Sequence, residues 1–485
     1  MKKISLNITQ FSIGTGKFLL WFLTWLFESL EVLIQSKTPQ KESYEATFLP
    51  SYELLSSFNK GFCLTGIKSL TVKDSYQHSL VIGGSGTGKS TVVIIPSIYS
   101  MTKHGHSLVI QDPSGELHQA TAGYLKNLEY DVLVLDYNKP EMSDGYNPLE
   151  RIKTNSDIFK TATTLVQNSL GKSGTDAFWN SQAVSFISLM IAILKKQDAK
   201  YQTLTNVKHL VDSFLSETEM MDRLVAGCCD PATLKEYKSF LVTEKKVMAN
   251  IISTCRSTLQ LFSDESVQLV TSEDTINFNK FREKKTALFI MNKTADLSYY
   301  APLTSTFFLQ FFNHIMNQPI PDNKARSIFL LIDETSSLFL PGTLQIALAN
   351  LRKYKTGLML VIQDFNQLIH LYGKNEAEAI RANCFATIYL TAQPIETCQT
   401  IEAMLGKREY DDKDGHKQTR ALLTADEIRT MDKDHALIFC GAHRAIHAYM
   451  KPYYKRLQFS KYSKIPVPDM NRNLMPFSTV PVIGQ

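Results

Sequence analysis

A chain of 485 residues, 44% hydrophobic and 20% charged, is apolar enough for a real core and long enough for two or three folded units, which excludes a disordered tail protein. Its formal charge of +5 is too small to announce nucleic-acid binding alone, although a symmetric ring would multiply the field that one subunit presents to a central channel. Cys63, Cys228, Cys229, Cys255, Cys384, Cys398 and Cys440 form no C-x-x-C pair and are odd in number, so reduced cytosolic thiols are expected rather than zinc or disulfides.

The first predicted element lies in residues 1–55, where Phe18 to Ile34 reads FLLWFLTWLFESLEVLI. Its unbroken apolar stretch ends at Phe27, short of the roughly 20 residues of a membrane span, and Glu28 and Glu31 then share a helix face. Lys2, Lys3 and Lys17 precede it, so a single span would put the rest of the chain outside, away from ATP. No small-residue cleavage pattern follows the run. A membrane-surface helix or a helix buried against protein is expected there.

Residues 56–149 alternate β-rich and helical runs. Strands are expected at His78–Ile82, Ser107–Gln111 and Asp131–Leu135, all apolar enough to be covered on both faces. Residues 150–270 lose the β character and read as an all-helical inserted domain, with the buried helix Ala183–Leu194 as its spine. In residues 271–464 strands return at Thr286–Met291, Ser327–Ile332, Leu358–Ile362, Ala386–Leu390 and Ala436–Cys440, so the sheet resumes. Residues 465–485 have four prolines and no periodicity, and a disordered tail is expected.

The first motif with chemistry is Gly83-Gly84-Ser85-Gly86-Thr87-Gly88-Lys89-Ser90, a match to G-x-x-x-x-G-K-[ST] with a strand before it and a helix after it. The glycines let successive N–H groups converge on a β-phosphate and the helix N-terminus adds its positive end. Lys89 would reach the β and γ oxygens and the Ser90 hydroxyl would hold Mg²⁺, with Thr91 opening the helix and closing the nucleotide cradle. The second motif is Ser327-Ile-Phe-Leu-Leu-Ile-Asp333-Glu334, a buried strand ending in two acids. Asp333 is expected in the Mg²⁺ shell, and Glu334 is expected to orient and deprotonate the attacking water. Together they predict an α/β, RecA-like P-loop NTPase that hydrolyses MgATP, its mostly parallel sheet interrupted by the all-α domain.

Three further positions have weaker signals. Gln363 ends the strand Leu358–Ile362, where a polar group could sense the γ-phosphate, although glutamine after a strand is also ordinary loop chemistry. Arg352, in Leu351-Arg-Lys-Tyr-Lys355, could serve a neighbouring subunit's nucleotide as an arginine finger or could lie on a solvated basic helix face. Asp112-Pro-Ser-Gly-Glu116 reads as a sharp turn first and a nucleotide-proximal loop second.

From about Lys60 to Phe459 the chain resembles the TraG/TraD-type coupling proteins of conjugation and type IV secretion. The resemblance rests on GGSGTGKSTVVIIPS at 83–97 with Pro96 in the following helix, and on Asp112-Pro-Ser-Gly-Glu116, where Ser114 replaces the usual lysine. It also rests on Tyr146-Asn-Pro-Leu149, on Asp176-Ala-Phe-Trp179 and on Leu422-Leu-Thr-Ala-Asp-Glu-Ile428, all in the family's order. The resemblance implies a membrane-associated homohexamer on the cytoplasmic face of a bacterial membrane. Such a ring moves DNA, protein or a nucleoprotein toward a secretion channel, with channel components and a relaxase or effectors as partners. It assigns catalytic or metal-binding roles to Lys89, Ser90, Asp333 and Glu334, a trans-acting role to Arg352, and the family's strand-end glutamine to Gln363. Two features depart from the family: at most one marginal apolar segment where a pair of transmembrane helices is usual, and a short tail without an acidic run. An FtsK/HerA-type DNA translocase and an ATP-assembled receptor with little turnover remain as alternatives.

Overall fold

The computed structural model describes residues 45–170, 177–228, 230–411 and 416–480. The apolar stretch 18–34 and Asp176 lie outside the described residues. The chain divides into two compact units, residues 47–406 with 421–485, and residues 1–46 with 407–420.

In the larger unit, apolar runs separated by helices form one sheet. Its strands are β1 Ser79–Ile82, β2 Ser107–Gln111, β3 Asp131–Asp136, β4 Thr286–Met291, β5 Ile328–Ile332, β6 Thr356–Ile362 and β7 Ala386–Leu390. After the short pair β8 Lys407–Asp411 and β9 Lys417–Ala421, the sheet adds β10 His435–Cys440 and β11 Ile446–Tyr449. The order is β11-β10-β7-β1-β6-β5-β2-β4-β3. β1 to β7 are mutually parallel where they pair, whereas β10 runs antiparallel to β7 and β11 antiparallel to β10. Every residue of β1, β2, β5, β6 and β7 is buried, as covered parallel strands with continuous apolar runs should be.

Two details fix the strands at the centre. His78 stands just before β1 at φ +67°, fully buried, with Nε2 against the Leu348 carbonyl and Nδ1 receiving the Leu358 N–H. A neutral ring with Nε2 protonated satisfies both bonds, and burial holds its pKa down to about 4. Gly357, the second residue of β6, has no room for a side chain: a Cβ there would stand 2.2 Å from the Ser75 carbonyl oxygen and 3.0 Å from the Phe329 ring.

The crossover helices begin with α1 Ile95–Thr102 and α2 Glu116–Asn127. Between β3 and β4 the chain is helical: α3 Asn155–Ser169, α4 Ala177–Leu194, α5 Leu204–Ser213, α6 Thr218–Cys228, α7 Pro231–Leu241, α8 Lys245–Leu259 and the short Glu265–Val270. Thr154 and Asp157 form a capping box that starts α3. α4 is the one described helix long and apolar enough to cross a membrane, and nine of its residues are buried among its neighbours.

Residues 150–270 lie within the larger of the two units. α3 lies along α9 Leu297–Met316, the helix joining β4 to β5, and Ser305 donates to Asn168 across the contact at 2.8 Å. Tyr146 of the Y-N-P-L run is buried and donates to Gln310 of α9 at 2.7 Å. The helical region is therefore packed into the nucleotide-binding unit by the helix that precedes its acidic strand.

The expected disordered tail needs correction over residues 465–480. This segment has no helix or strand, but it is packed. Gly123 of α2 lets the Ile465 and Pro466 carbonyls cross at a distance that any Cβ would obstruct. Arg472 pairs with Asp144 at 3.2 Å, Asn206 donates to Ser478 O and accepts from Val480 N, and Val480 is buried. Three prolines, Pro466, Pro468 and Pro476, removed the periodicity of the segment without removing its partners.

In the smaller unit the described strands β8 and β9 form a two-stranded sheet that is largely exposed, with Lys417 paired to Glu409 at 3.3 Å and the Ala46 N–H bonded to the Lys407 carbonyl. That sheet and β11 have too little apolar content or length to have been expected from the sequence.

Candidate nucleotide site

Parallel strands end together, so the loops after β1, β6, β5 and β2 meet along one edge of the sheet. The loop after β1 is the glycine-rich run. Gly83 is buried and its N–H bonds the Ile362 carbonyl at 3.1 Å; a Cβ there would stand 2.7 Å from Thr87 Oγ1 and 2.9 Å from Leu390 Cβ. Gly86 and Gly88 take φ +75° and +88°, and the space beside Gly86 is open. Thr87 Oγ1 donates to Gly84 O at 2.8 Å and Thr91 Oγ1 to Gly88 O at 3.0 Å, so each hydroxyl braces the loop. Lys89 folds back over the loop and donates to Gly83 O at 2.6 Å and Gly84 O at 3.0 Å.

β6 separates the P-loop strand β1 from the acidic strand β5. Asp333 and Glu334 follow β5, and Gln363 follows β6 between the acids and the P-loop. Gln363 Nε2 donates to one Glu334 oxygen at 3.2 Å and the Ser336 hydroxyl donates to the other. Thr335 is buried and ties the acidic turn to β6, its Oγ1 accepting the Val361 N–H at 3.1 Å. Ser337 ties the same turn to β2 by accepting from Gln111 Nε2 at 2.7 Å.

The cleft between these loops has a volume of about 620 Å³ and is lined by Ser85 to Val92, Asp333, Glu334 and Gln363. Its charges are mutually dependent. Burial pushes the Lys89 ammonium below its ordinary pKa, and Asp333 and Glu334 work in the opposite direction. Burial, then Asp112, holds the Asp333 carboxyl up to about 7, with Lys89 opposing. Burial also raises Asp112, to about 6, against the N–H groups of His118, Leu117 and Gly115 that bond it. An acid held near neutrality in the same cleft as a half-buried ammonium, with a loop of convergent N–H groups, fits a ligand that brings both a polyanion and a divalent cation. The donor set fits: Ser90 and Asp333 supply hard oxygen ligands in the same cleft, and Lys89 has only loop carbonyls to release.

Arg352 is not in this cleft. It is exposed on the turn Leu351–Tyr354 before β6 and donates to Gln77 Oε1 at 3.1 Å. The seven residues of β6, at about 3.3 Å each, put roughly 23 Å between it and the P-loop edge.

The cleft also contains residues that the sequence ranked second or did not single out. Pro113, Ser114 and Glu116 come from the turn after β2, which the D-P-S-G-E run had marked only as a secondary nucleotide-proximal candidate. Lys433, Asp434, Tyr454 and Lys455 come from the far end of the chain. β10 runs antiparallel to β7, so its start lies at the edge where β7 ends, and no local pattern announces that reversal.

A P-loop strand, an acidic strand one place removed and a polar strand end between them, on a mostly parallel sheet, define a RecA-like P-loop NTPase. Residues 36–477 match the family described as type IV secretory system conjugative DNA transfer, and the chain belongs to that family. The chain is 23% identical over 458 residues to the conjugal transfer protein TraG of Escherichia coli, covering 83% of this chain and 71% of that protein. It is 21% identical over 423 residues to the protein VirD4 of Agrobacterium fabrum, covering 81% of this chain and 61% of the relative. The plasmid coupling protein TrwB, solved in complex with ADP and Mg²⁺, is similar in fold with a TM-score of 0.66 and 19% identity, over 86% of this chain and 97% of that one.

Proposed function

We propose that this chain is an ATP-hydrolysing coupling protein that recruits DNA, protein or both and drives their transfer into a type IV secretion channel. The observation that carries the reading is the meeting of Lys89, Asp333, Glu334 and Gln363 in one cleft from three adjacent strand ends. Family membership and the nucleotide named in the TrwB complex support the choice of MgATP.

In this reading Lys89 leaves the Gly83 and Gly84 carbonyls for the β and γ oxygens of the triphosphate, while the N–H groups of the loop cradle the phosphates. Ser90 and Asp333 would hold Mg²⁺, which would supply positive charge against the transferring phosphoryl group. Glu334 orients the attacking water and accepts its proton, and its carboxylate is held by Gln363 and Ser336. Gln363, bonded to Glu334 and facing the cleft, senses the γ-phosphate. Arg352 acts on a neighbouring subunit's nucleotide in a homohexameric ring, which accounts for its place at the opposite edge of the sheet. The ring works at the cytoplasmic face of a bacterial membrane, with channel components and a relaxase or effectors as partners.

Lys89→Ala and Glu334→Gln test the site. Both should abolish ATP turnover, and only Glu334→Gln should keep tight ATP binding. Normal turnover by either variant would overturn the assignment.

A further inference from the structure

α9 crosses from the end of β4 back toward the start of β5, so its last turns lie near the sheet edge opposite the P-loop. There a second cleft, of about 500 Å³, opens between α3, α9 and residues 274–279. Six amides line it; Asn277 accepts from the Asn279 N–H and Gln310 bonds Tyr146 and Pro148, which leaves Asn279, Asn313, Asn317 and Gln318. Their side chains have no hydrogen-bond partner among the described residues, although each offers a donor and an acceptor.

The ionic groups of this cleft are unevenly satisfied. Asp274 pairs with Arg151 at 2.6 Å, Asp157 is used by the Thr154 cap, and Glu150 accepts from Asn147 at 3.4 Å. Lys153 and Lys160 are exposed and have no carboxylate partner among the described residues. His314, edge-on to Phe278 at 5.5 Å, is held near pKa 4 by burial and then by Arg151, Lys153 and Arg282, all of them cations. The carboxylates are thus occupied from within, and two lysines and four amides are left for a ligand.

We propose that this cleft binds a short stretch of single-stranded DNA, its base edges hydrogen-bonded by Asn279, Asn313, Asn317 and Gln318 and its phosphates met by Lys153 and Lys160. The inference rests on the reading that the chain handles DNA, and it adds a site remote from the nucleotide. Asn and Gln match the paired donor and acceptor of a base edge, which only unpaired strands present freely in a concavity. An anionic lipid surface would engage the lysines but offers no paired donor and acceptor to the amides, of which Asn279, Asn317 and Gln318 are already exposed to water.

The test is fluorescence anisotropy of a labelled 20-nucleotide single strand with the full chain across a salt series. Asn313→Ala with Asn317→Ala should weaken binding about ten-fold at unchanged salt slope, since amides have no charge to release counterions. Lys153→Gln with Lys160→Gln should flatten the slope of log K against log salt by about 1.4, or 0.7 for each lost phosphate contact. ATP affinity and thermal midpoint should stay at native values in both double variants. Native oligonucleotide affinity and slope in both would overturn the proposal, as would variants weakened only toward anionic vesicles or an acidic peptide. If the native chain binds no oligonucleotide at all, the DNA reading itself fails; if it binds and the variants do not differ, only the cleft fails.

Discussion

Asp333→Asn removes a carboxyl that burial, with Asp112 next, holds up to about 7 against an ordinary value of 3.8. A carboxyl whose native pKa stands above its unfolded one supports the fold in acid and opposes it in base. The penalty is absent below pH 3.8, grows as pH rises, and is complete above about 7. The interval from 3.8 to about 7, at about 1.36 kcal/mol for each pH unit, corresponds to about 4 kcal/mol at pH 8.5. Asparagine stays neutral, so without nucleotide the variant should resist urea better than the native chain at pH 8.5. Its advantage should shrink by about 1.4 kcal/mol between pH 8.5 and pH 6, where the native acid is already mostly protonated. The same variant should lose the stabilisation that MgATP gives the native chain. A variant no more stable than the native chain at pH 8.5 would refute the reasoning, because it would mean that Asp333 is charged there at no cost.

Thr335→Val should lower the unfolding free energy measured in urea by about 1–3 kcal/mol, since it strips the buried Val361 N–H of its acceptor. Gly357→Ala should destabilise by a similar 1–3 kcal/mol in thermal unfolding, because the Ser75 carbonyl lies 2.2 Å from the new Cβ and belongs to the backbone. Arg352→Ala should leave ATP affinity unchanged and cut turnover of the assembled ring by roughly 10³-fold or more; lost affinity in the isolated subunit would place Arg352 in its own cleft instead.

The chemistry of the nucleotide site was local enough to read. A phosphate cradle needs consecutive glycines before a helix, and a metal-holding acid needs a buried strand before it, so Gly83 to Ser90 and Ser327 to Glu334 carry the signals for their proposed roles within eight residues each. The same logic located the strands at 107–111, 286–291 and 386–390, whose apolar runs serve two covered faces. It failed for β8, β9 and β11, which are short or exposed. It also failed for the tail, where proline hides periodicity while Val480 and Asn206 still bond.

By itself, the sequence determined which side chains could hold a triphosphate and a metal, because those requirements act between near neighbours along the chain. Tertiary structure alone decided what stands around them: Gln363 and Ser336 on the Glu334 carboxylate, Asp112 raising Asp333, Lys433, Asp434, Tyr454 and Lys455 lining the cleft, and Arg352 at the far edge. Strand order and direction set those contacts, and both follow from burying every helix and strand at once rather than from any one segment.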